Sequence, residues 1–332
     1  MTAASFNSKN KTFNCLSVVI SAYNEQDNII PLYRKLKRNL VSLQKKHFYN
    51  NYEIFFINDG STDQTKNRIE TLCLKDKHVK IISLRKNFGK STALQTGFHY
   101  TKGDVIITLD ADMQDDPDEI SRFITKIQEG YDIVSGWKIN RLDPLEKRIM
   151  SKIFNFITRK LSGIRLHDCN CGFKAYRRDV INALYIYGEF HRYIPLLASR
   201  NGFSICEIPI THHKRLSGKS KFGTERYLRG MFDAISVIFL LKFYDKPMYF
   251  FGKIGLFLFT IGFAICSYLT ALWFSGHSIG SRPLLILGVL FLLIGFQSFS
   301  IGLIANLIID NIPQSNKNKF INQIVTKKNN DE

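Results

Sequence analysis

The chain has six cysteines among 332 residues, and none of their spacings makes a framework. Cys15, Cys73, Cys206 and Cys266 stand alone, while Cys169-x-Cys171 is shorter than a Cys-x₂-Cys knuckle and has no second pair. A disulfide scaffold and a zinc finger are thereby excluded, and the thiols read as reduced in a cytosolic setting. Met1 to Asn14 is a polar tail without an apolar stretch, so no secretion signal is expected. Glycine is missing where a dinucleotide fold needs it. Ser21-Ala22-Tyr23-Asn24-Glu25 follows the first apolar run with none, which excludes Gly-x-Gly-x-x-Gly. Gly89-Lys90-Ser91 ends like a P-loop, but Leu84 stands at its leading glycine position. Acidic residues are scarce, 28 against 46 Lys and Arg, for a net charge of +18. Such a balance suits nucleic acid or an anionic membrane surface. No nucleic-acid recognition motif appears and the charge gathers near the membrane-proximal half, so a lipid bilayer is the expected partner and nucleic acid is not.

Long apolar runs fill the carboxyl-terminal third. Ile254 to Phe274 is uncharged, and Leu284 to Ile309 is interrupted only by Gln297 and Asn306. Each reaches the roughly 20 residues that cross a bilayer as a helix. Their link, Ser275 to Pro283, carries only Arg282 as a fixed charge, whereas Lys317, Lys319, Lys327 and Lys328 follow. The positive-inside rule therefore predicts a multi-pass protein of the cytoplasmic (inner) membrane, with its main domain and both termini cytoplasmic. The expected order is a polar tail at 1–14, a cytosolic domain at 15–223 and a juxtamembrane amphipathic helix at 224–248. Two transmembrane helices follow within 249–310, at about 254–274 and 284–309, and then a basic tail at 311–332. Pro144 to Leu161 is also amphipathic, with Ile149, Ile153, Phe156, Ile157 and Leu161 opposite Arg148, Lys152, Asn155 and Arg159. It fits a helix lying in the bilayer interface and equally one packed on a sheet. Arg226 to Phe243 is a second interfacial candidate.

Before the anchor, strand and helix alternate. Leu16–Ile20, Tyr52–Ile57, Val79–Leu84 and Val105–Leu109 read as strands. Helices are expected at about Asp27–Lys46, after the turn Asn58-Asp59-Gly60-Ser61, and at about Gly89–Thr101. This pattern predicts an α/β fold with a mostly parallel sheet and helices on both faces. Polar residues gather at the strand ends, where open α/β sheets bind ligands: Tyr23, Asn24 and Glu25, then Asp59, then Arg85 and Asn87, then Asp110 and Asp112. Side-chain alternation on a strand aims Asp110 and Asp112 the same way. Two such carboxylates make a hard oxygen site for Mg²⁺ or Mn²⁺, completed by substrate phosphates and water. Asp116-Pro117 reads separately as a helix cap and first turn.

Four segments together resemble family 2 glycosyltransferases of the Rossmann-like GT-A fold: Val18 to Glu25, Asn58 to Asp63, Arg85 to Lys90, and Asp110-Ala111-Asp112-Met113-Gln114. Asp168 to Lys174 and Arg215 to Gly223 resemble the polyprenyl-phosphate branch, with dolichyl-phosphate mannose synthases and bactoprenol glucosyltransferases. The resemblance runs from Leu16 to the second apolar run. It implies inverting transfer of one sugar, a hexose such as glucose or mannose, from a UDP- or GDP-sugar to a polyprenyl phosphate. Ala22, Tyr23, Glu25, Asp59, Lys90 and Asp110 would bind the nucleotide-sugar. Asp110, Asp112 and Gln114 would hold the metal, with Asp112 and Asp168 catalytic and Asp168 on the acceptor side. Arg215, Lys219, Lys221 and Arg141 would meet the acceptor phosphate. Ser21 and Asn58 depart from the family's usual Pro and Asp, which leaves the base open. A homo-oligomer is left open too.

Two rivals weigh against this. A processive polysaccharide synthase carries Gln-x-x-Arg-Trp, and neither Trp137 nor Trp273 has that context. A non-catalytic membrane scaffold would not require intact acidic and basic motifs. His191-Arg192-Tyr193 fits either the acceptor side or a structural role.

Overall fold

The computed structural model describes residues 12–138, 166–168, 171–211, 246–279 and 283–310, with positions 236, 239, 242 and 243 besides. The chain divides into two compact units at Ile238.

The first unit is built on a seven-stranded sheet, ordered β3-β2-β1-β4-β6-β5-β7. Its strands are β1 Phe13–Ala22, β2 Tyr49–Asn58, β3 Val79–Ser83, β4 Val105–Asp110, β5 Ile133–Lys138, β6 Lys174–Arg177 and β7 Ile205–Ile210. Neighbours are parallel except at β6, which runs against both β4 and β5. The alternation of strand and helix explains the parallel half, because each crossover helix returns the chain to the same starting edge. The helices are α1 Gln26–Lys45, α2 Thr65–Lys75, α3 Lys90–Tyr100, α4 Ile120–Gln128, α5 Arg178–Ala183 and α6 Ile194–Arg200. In α1, Ile29, Leu32, Leu36, Leu40 and Leu43 recur at helical spacing and are buried, which seats one face on the core. In α3, a Cβ on Gly97 would stand 2.5 Å from Val19, so the helix lies directly on β1.

The sequence anticipates β1 to β4 and misjudges mainly their lengths. β2 begins at Tyr49 rather than Tyr52, because Tyr49 pairs with Phe13 and its hydroxyl donates to the Leu40 carbonyl at 2.8 Å.

The second unit consists of α7 Pro247–Phe274 and α8 Pro283–Asp310. Both are long and apolar enough to cross a membrane, and only 17% and 11% of their most apolar windows are buried, unlike soluble core helices. Their backbones meet at glycines. A Cβ on Gly262 would lie 2.7 Å from the Gly288 carbonyl, and one on Gly295 2.7 Å from the Phe259 amide nitrogen. α7 starts earlier than the apolar run alone suggests, since Pro247 suits a first helical position. The amphipathic segment 144–161, most of 224–245, the basic tail and residues 1–11 lie outside the described residues.

Candidate functional site

Register aligns the carboxyl ends of the parallel strands: Ala22 pairs with Asn58, Asn58 with Ser83, and Ser21 with Asp110. The loops leaving β1, β2, β3 and β4 therefore start from one edge. Hydrogen bonds knit them together. Asn24, at φ 53°, accepts from the Thr62 amide at 2.8 Å, and its own amide donates to Ser61 Oγ at 3.0 Å. The Asp59 amide donates to the Ala22 carbonyl at 2.9 Å. The buried Asp59 carboxylate accepts from the amides of Phe88 at 2.8 Å and Gly89 at 3.0 Å. Gly60 has φ 66°, and a Cβ there would collide with the Lys86–Asn87 peptide. Glu25 Oε2 accepts from Asn28 Nδ2 at 2.6 Å, at the start of α1, and Tyr23 is half-buried in the same turn.

The acidic group stands beside these loops. Asp110 closes β4 and pairs with Lys90, the first residue of α3. Burial pushes the Asp110 carboxyl up, but the charges of Lys90, Lys138 and Lys174 outweigh it and hold the group below the usual carboxylate range. A Cβ on Gly172 would stand 2.5 Å from Asp110 Oδ2, and Thr108 Oγ1 donates to the Gly172 carbonyl at 2.8 Å. The Asp168-to-Lys174 motif thus reaches Asp110 at Gly172, a point where only glycine fits.

Asp112 does not extend the strand. β4 ends at Asp110, and Asp112 lies in a turn whose Met113 has φ 60°. Strand alternation therefore does not aim Asp112; the turn does, and Asp112 Oδ1 accepts from the Gln114 amide at 3.2 Å. Behind it Asp115 is fully buried against Lys138, 2.9 Å away. Burial raises the Asp115 carboxyl, with the negative charges of Asp110 and Asp112 adding to the effect. Burial alone would depress the Lys138 ammonium, yet Asp115 and Asp110 hold it above its ordinary value. Asp116 accepts from the Asp118 amide at 2.9 Å and Pro117 opens the following turn, as their sequence predicts.

Asp168 is buried, and its amide donates to Glu207 Oε1 at 2.9 Å. His191 is fastened to α3: its amide donates to Ser91 Oγ at 3.0 Å, and its Nδ1 lies 2.9 Å from the same oxygen. The structure therefore brings Ala22, Tyr23, Glu25, Asp59, Lys90, Asp110, Asp112 and Gln114 to the loops of one edge. Arg141, Arg215, Lys219 and Lys221 lie outside the described residues.

The donor set suits a hard divalent cation. Asp110, Asp112 and Gln114 offer oxygen, and the glycine at 172 leaves room for the Asp110 carboxyl. Among the described residues no group of three His, Cys, Asp or Glu could hold a metal ion. Burial pushes the Cys171 thiol up to about 12.

The mixed, mostly parallel sheet, with carboxylates and lysines at its strand ends, has a GT-A-like fold. The sequence model described as glycosyl transferase family 2 matches residues 17–185, and the chain belongs to that family; it is a glycosyltransferase. It is 34% identical over 88% of its length to a dodecaprenyl-phosphate galacturonate synthase of Rhizobium johnstonii, covering 87% of that protein. It is 32% identical to an undecaprenyl-phosphate 4-deoxy-4-formamido-L-arabinose transferase of Klebsiella pneumoniae, over 93% of each chain. Its fold is similar to that of glucosyl-3-phosphoglycerate synthase from Mycobacterium tuberculosis, solved with Mn²⁺, UDP and glucosyl-3-phosphoglycerate. The TM-score is 0.53 at 18% identity, over 73% of this chain and 86% of that one.

Sequence reasoning missed Lys138, Asp115, Lys174 and Glu207. Only Glu207 carried a local signal, a charged residue inside an otherwise apolar run.

Proposed function

We propose that this glycosyltransferase moves one sugar from a nucleotide-sugar to a polyprenyl phosphate and releases a monosaccharide-phosphate-lipid. The observation that carries this reading is similarity over 88–93% of the chain, across crevice and apolar hairpin alike, to two enzymes named for polyprenyl-phosphate sugar transfer. The donor is a UDP- or GDP-sugar, and a hexose such as glucose or mannose is the sugar we infer. The protein is multi-pass in the cytoplasmic membrane, with the sheet domain and both termini on the cytoplasmic side.

Asp110, Asp112 and Gln114 would hold Mg²⁺ or Mn²⁺, which when bound neutralises charge developing on the departing diphosphate. Ala22, Tyr23, Glu25 and Asp59 would frame the nucleoside, while Lys90 adds positive charge beside Asp110. The acceptor is a phosphate monoester whose second pKa is near 6, so it is mostly dianionic at neutral pH. Proton removal is then a minor requirement. Asp168 serves to orient the acceptor and shape the field rather than act as an obligatory base. The larger obstacle is bringing a dianion to an anionic donor, and Arg215, Lys219, Lys221 and Arg141 supply the opposing charge.

Mass spectrometry of lipid products from a panel of nucleotide-sugars tests the reading; galacturonate and 4-deoxy-4-formamido-L-arabinose donors belong in that panel beside glucose and mannose. One added sugar on polyprenyl phosphate is expected. Polymer, or donor hydrolysis alone, would overturn it. Arg215→Ala should weaken acceptor efficiency by about 1.5–3 kcal/mol, roughly tenfold to a hundredfold, and leave nucleoside diphosphate binding nearly unchanged.

A further inference from the structure

Glu207 lies in β7, a strand otherwise made of Ile, Cys and Pro, and its side chain is only 8% exposed. A charge so placed must be satisfied by close partners. Those partners belong to one short stretch of chain. Oε1 accepts from the Asp168 amide at 2.9 Å, and Oε2 accepts from the His167 amide at 2.7 Å while lying 3.0 Å from His167 Nδ1. From the other side, Trp137 of β5 stacks on the His167 ring, with centroids 4.3 Å apart and planes 17° from parallel. β5 and β7 are paired in register, Trp137 opposite Pro209, so carboxylate and indole come from adjacent strands of one sheet. A single carboxylate thus grips two successive amides and the ring that precedes Asp168. Beyond it, the same loop reaches Gly172 under the Asp110 carboxyl.

We propose that Glu207 is the positioning residue for Asp168: by holding the backbone of His167 and Asp168 to the rigid sheet, it fixes the Asp168 carboxylate against the crevice. Charge-assisted hydrogen bonds to consecutive amides set a chain direction more firmly than a neutral acceptor would. Outer groups that orient reacting groups typically contribute tenfold to a hundredfold. The inference rests on Asp168 being an acceptor-side group of the transfer reaction, and its test separates the two claims.

The full-length enzyme in lipid nanodiscs with polyprenyl phosphate is the system. Glu207→Gln keeps the shape but turns an amide NH₂ toward an amide donor. Its kcat should fall about tenfold to a hundredfold, while KM for the nucleotide-sugar and the calorimetric Kd for nucleoside diphosphate with Mn²⁺ stay within about twofold. In an Asp168→Asn background the same change should add little, because the clamp acts through Asp168. Hydrogen exchange at the 167 and 168 amides should quicken in Glu207→Gln, a readout that needs no activity. Five results overturn the proposal. An unimpaired Glu207→Gln beside an impaired Asp168→Asn removes the clamp and leaves the site reading standing. Losses that multiply in the double variant, or nucleotide affinity that falls as far as kcat, assign Glu207 a general structural role. Unchanged amide exchange shows that no clamp exists. Full activity of Asp168→Asn removes the site reading and the inference with it.

Discussion

The two edges of the sheet bury carboxylates of the same chemical kind to different ends. Toward the amino edge, Glu53 accepts from Ser17 Oγ at 2.6 Å, the Lys102 amide at 2.7 Å and Lys80 Nζ at 2.8 Å. Asp76 is similarly enclosed by Tyr33 at 2.8 Å, Lys37 at 2.8 Å and the His78 amide at 3.0 Å. Each is one charge surrounded by donors, and the donors tie strands and helices together. At the carboxyl edge, Asp110, Asp112 and Asp115 crowd within six residues of chain, and lysines rather than neutral donors balance two of them. Burial of a carboxylate therefore does not mark function. Several carboxylates gathered at the carboxyl ends of parallel strands, where open α/β sheets bind ligands, make the stronger candidate.

Four substitutions and a titration separate the edges. The largest effect is expected at the crevice. Asp112→Ala should lower turnover on the order of a thousandfold by removing a cation-binding group, while thermal melting of the full-length protein stays close to wild type, since the residue lies in a turn. Initial rates of lipid-product formation at saturating donor and metal measure this. Near-normal turnover in chelator would sink the metal-assisted reading.

The reverse is expected at the amino edge. Glu53→Ala strands the Ser17 hydroxyl, the Lys102 amide and the Lys80 ammonium, and should destabilise the protein by about 3 kcal/mol. Denaturant midpoints in detergent report it, and kcat per folded molecule should remain within about twofold. A kcat loss comparable to that of Asp112→Ala would erase the distinction between the edges.

A matched pair of glycines sharpens it further. A Cβ at Gly172 would stand 2.5 Å from Asp110 Oδ2, and one at Gly103 would stand 2.5 Å from Ser17 Oγ. The same added methyl thus presses on the crevice in one variant and on the Glu53 network in the other. Gly172→Ala should slow turnover about tenfold with little change in melting, because Asp110 must shift. Gly103→Ala should destabilise by about 1–3 kcal/mol and leave turnover nearly intact. Equal effects of the two variants on both readouts would contradict the division.

How far the sequence shows this division depends on the range of the interactions. β1 to β4 are legible because runs such as Val105-Ile106-Ile107-Thr108-Leu109 are apolar and β-branched, and Asp110 and Asp112 are legible because they follow one. β5 and β6 are not: Ile133–Lys138 contains Ser, Gly and Lys, and Lys174–Arg177 is four residues with a charge at each end. Only pairing with β4 and β7 makes them strands. The partners of Lys138 and Glu207 are equally hidden. Glu207 meets His167 across 40 positions of chain, and no local period encodes that meeting. The hairpin's apolar runs are plain in the sequence. Its glycine seam at Gly288, Gly295 and Gly302 is legible only once the opposite helix supplies Gly255 and Gly262.

The smallest effect expected is on the pH dependence of stability. Burial pushes the Glu53 carboxyl up, but hydrogen bonds from Lys102, Lys80 and Ser17 outweigh it and leave the group below its ordinary value. At Asp76, burial is likewise overcome, by Lys37, His78 and Tyr33, and its carboxyl falls well below the usual range. A carboxyl whose folded value is depressed contributes stability that is complete above its unfolded value, about 4, and is lost as pH falls through the folded value. At the crevice Asp110 is lowered and Asp115 raised, so Asp110 loses its contribution below about 4 while Asp115 acts above it. Acidification below about 4 should therefore weaken the fold through Glu53 and Asp76, with Asp110 adding its share in the same range. Glu53→Gln should flatten the fall in melting temperature over that acid range relative to its own plateau at neutral pH. A slope that Glu53→Gln leaves unchanged would remove the amino-edge carboxylates from the acid-sensitive role assigned to them.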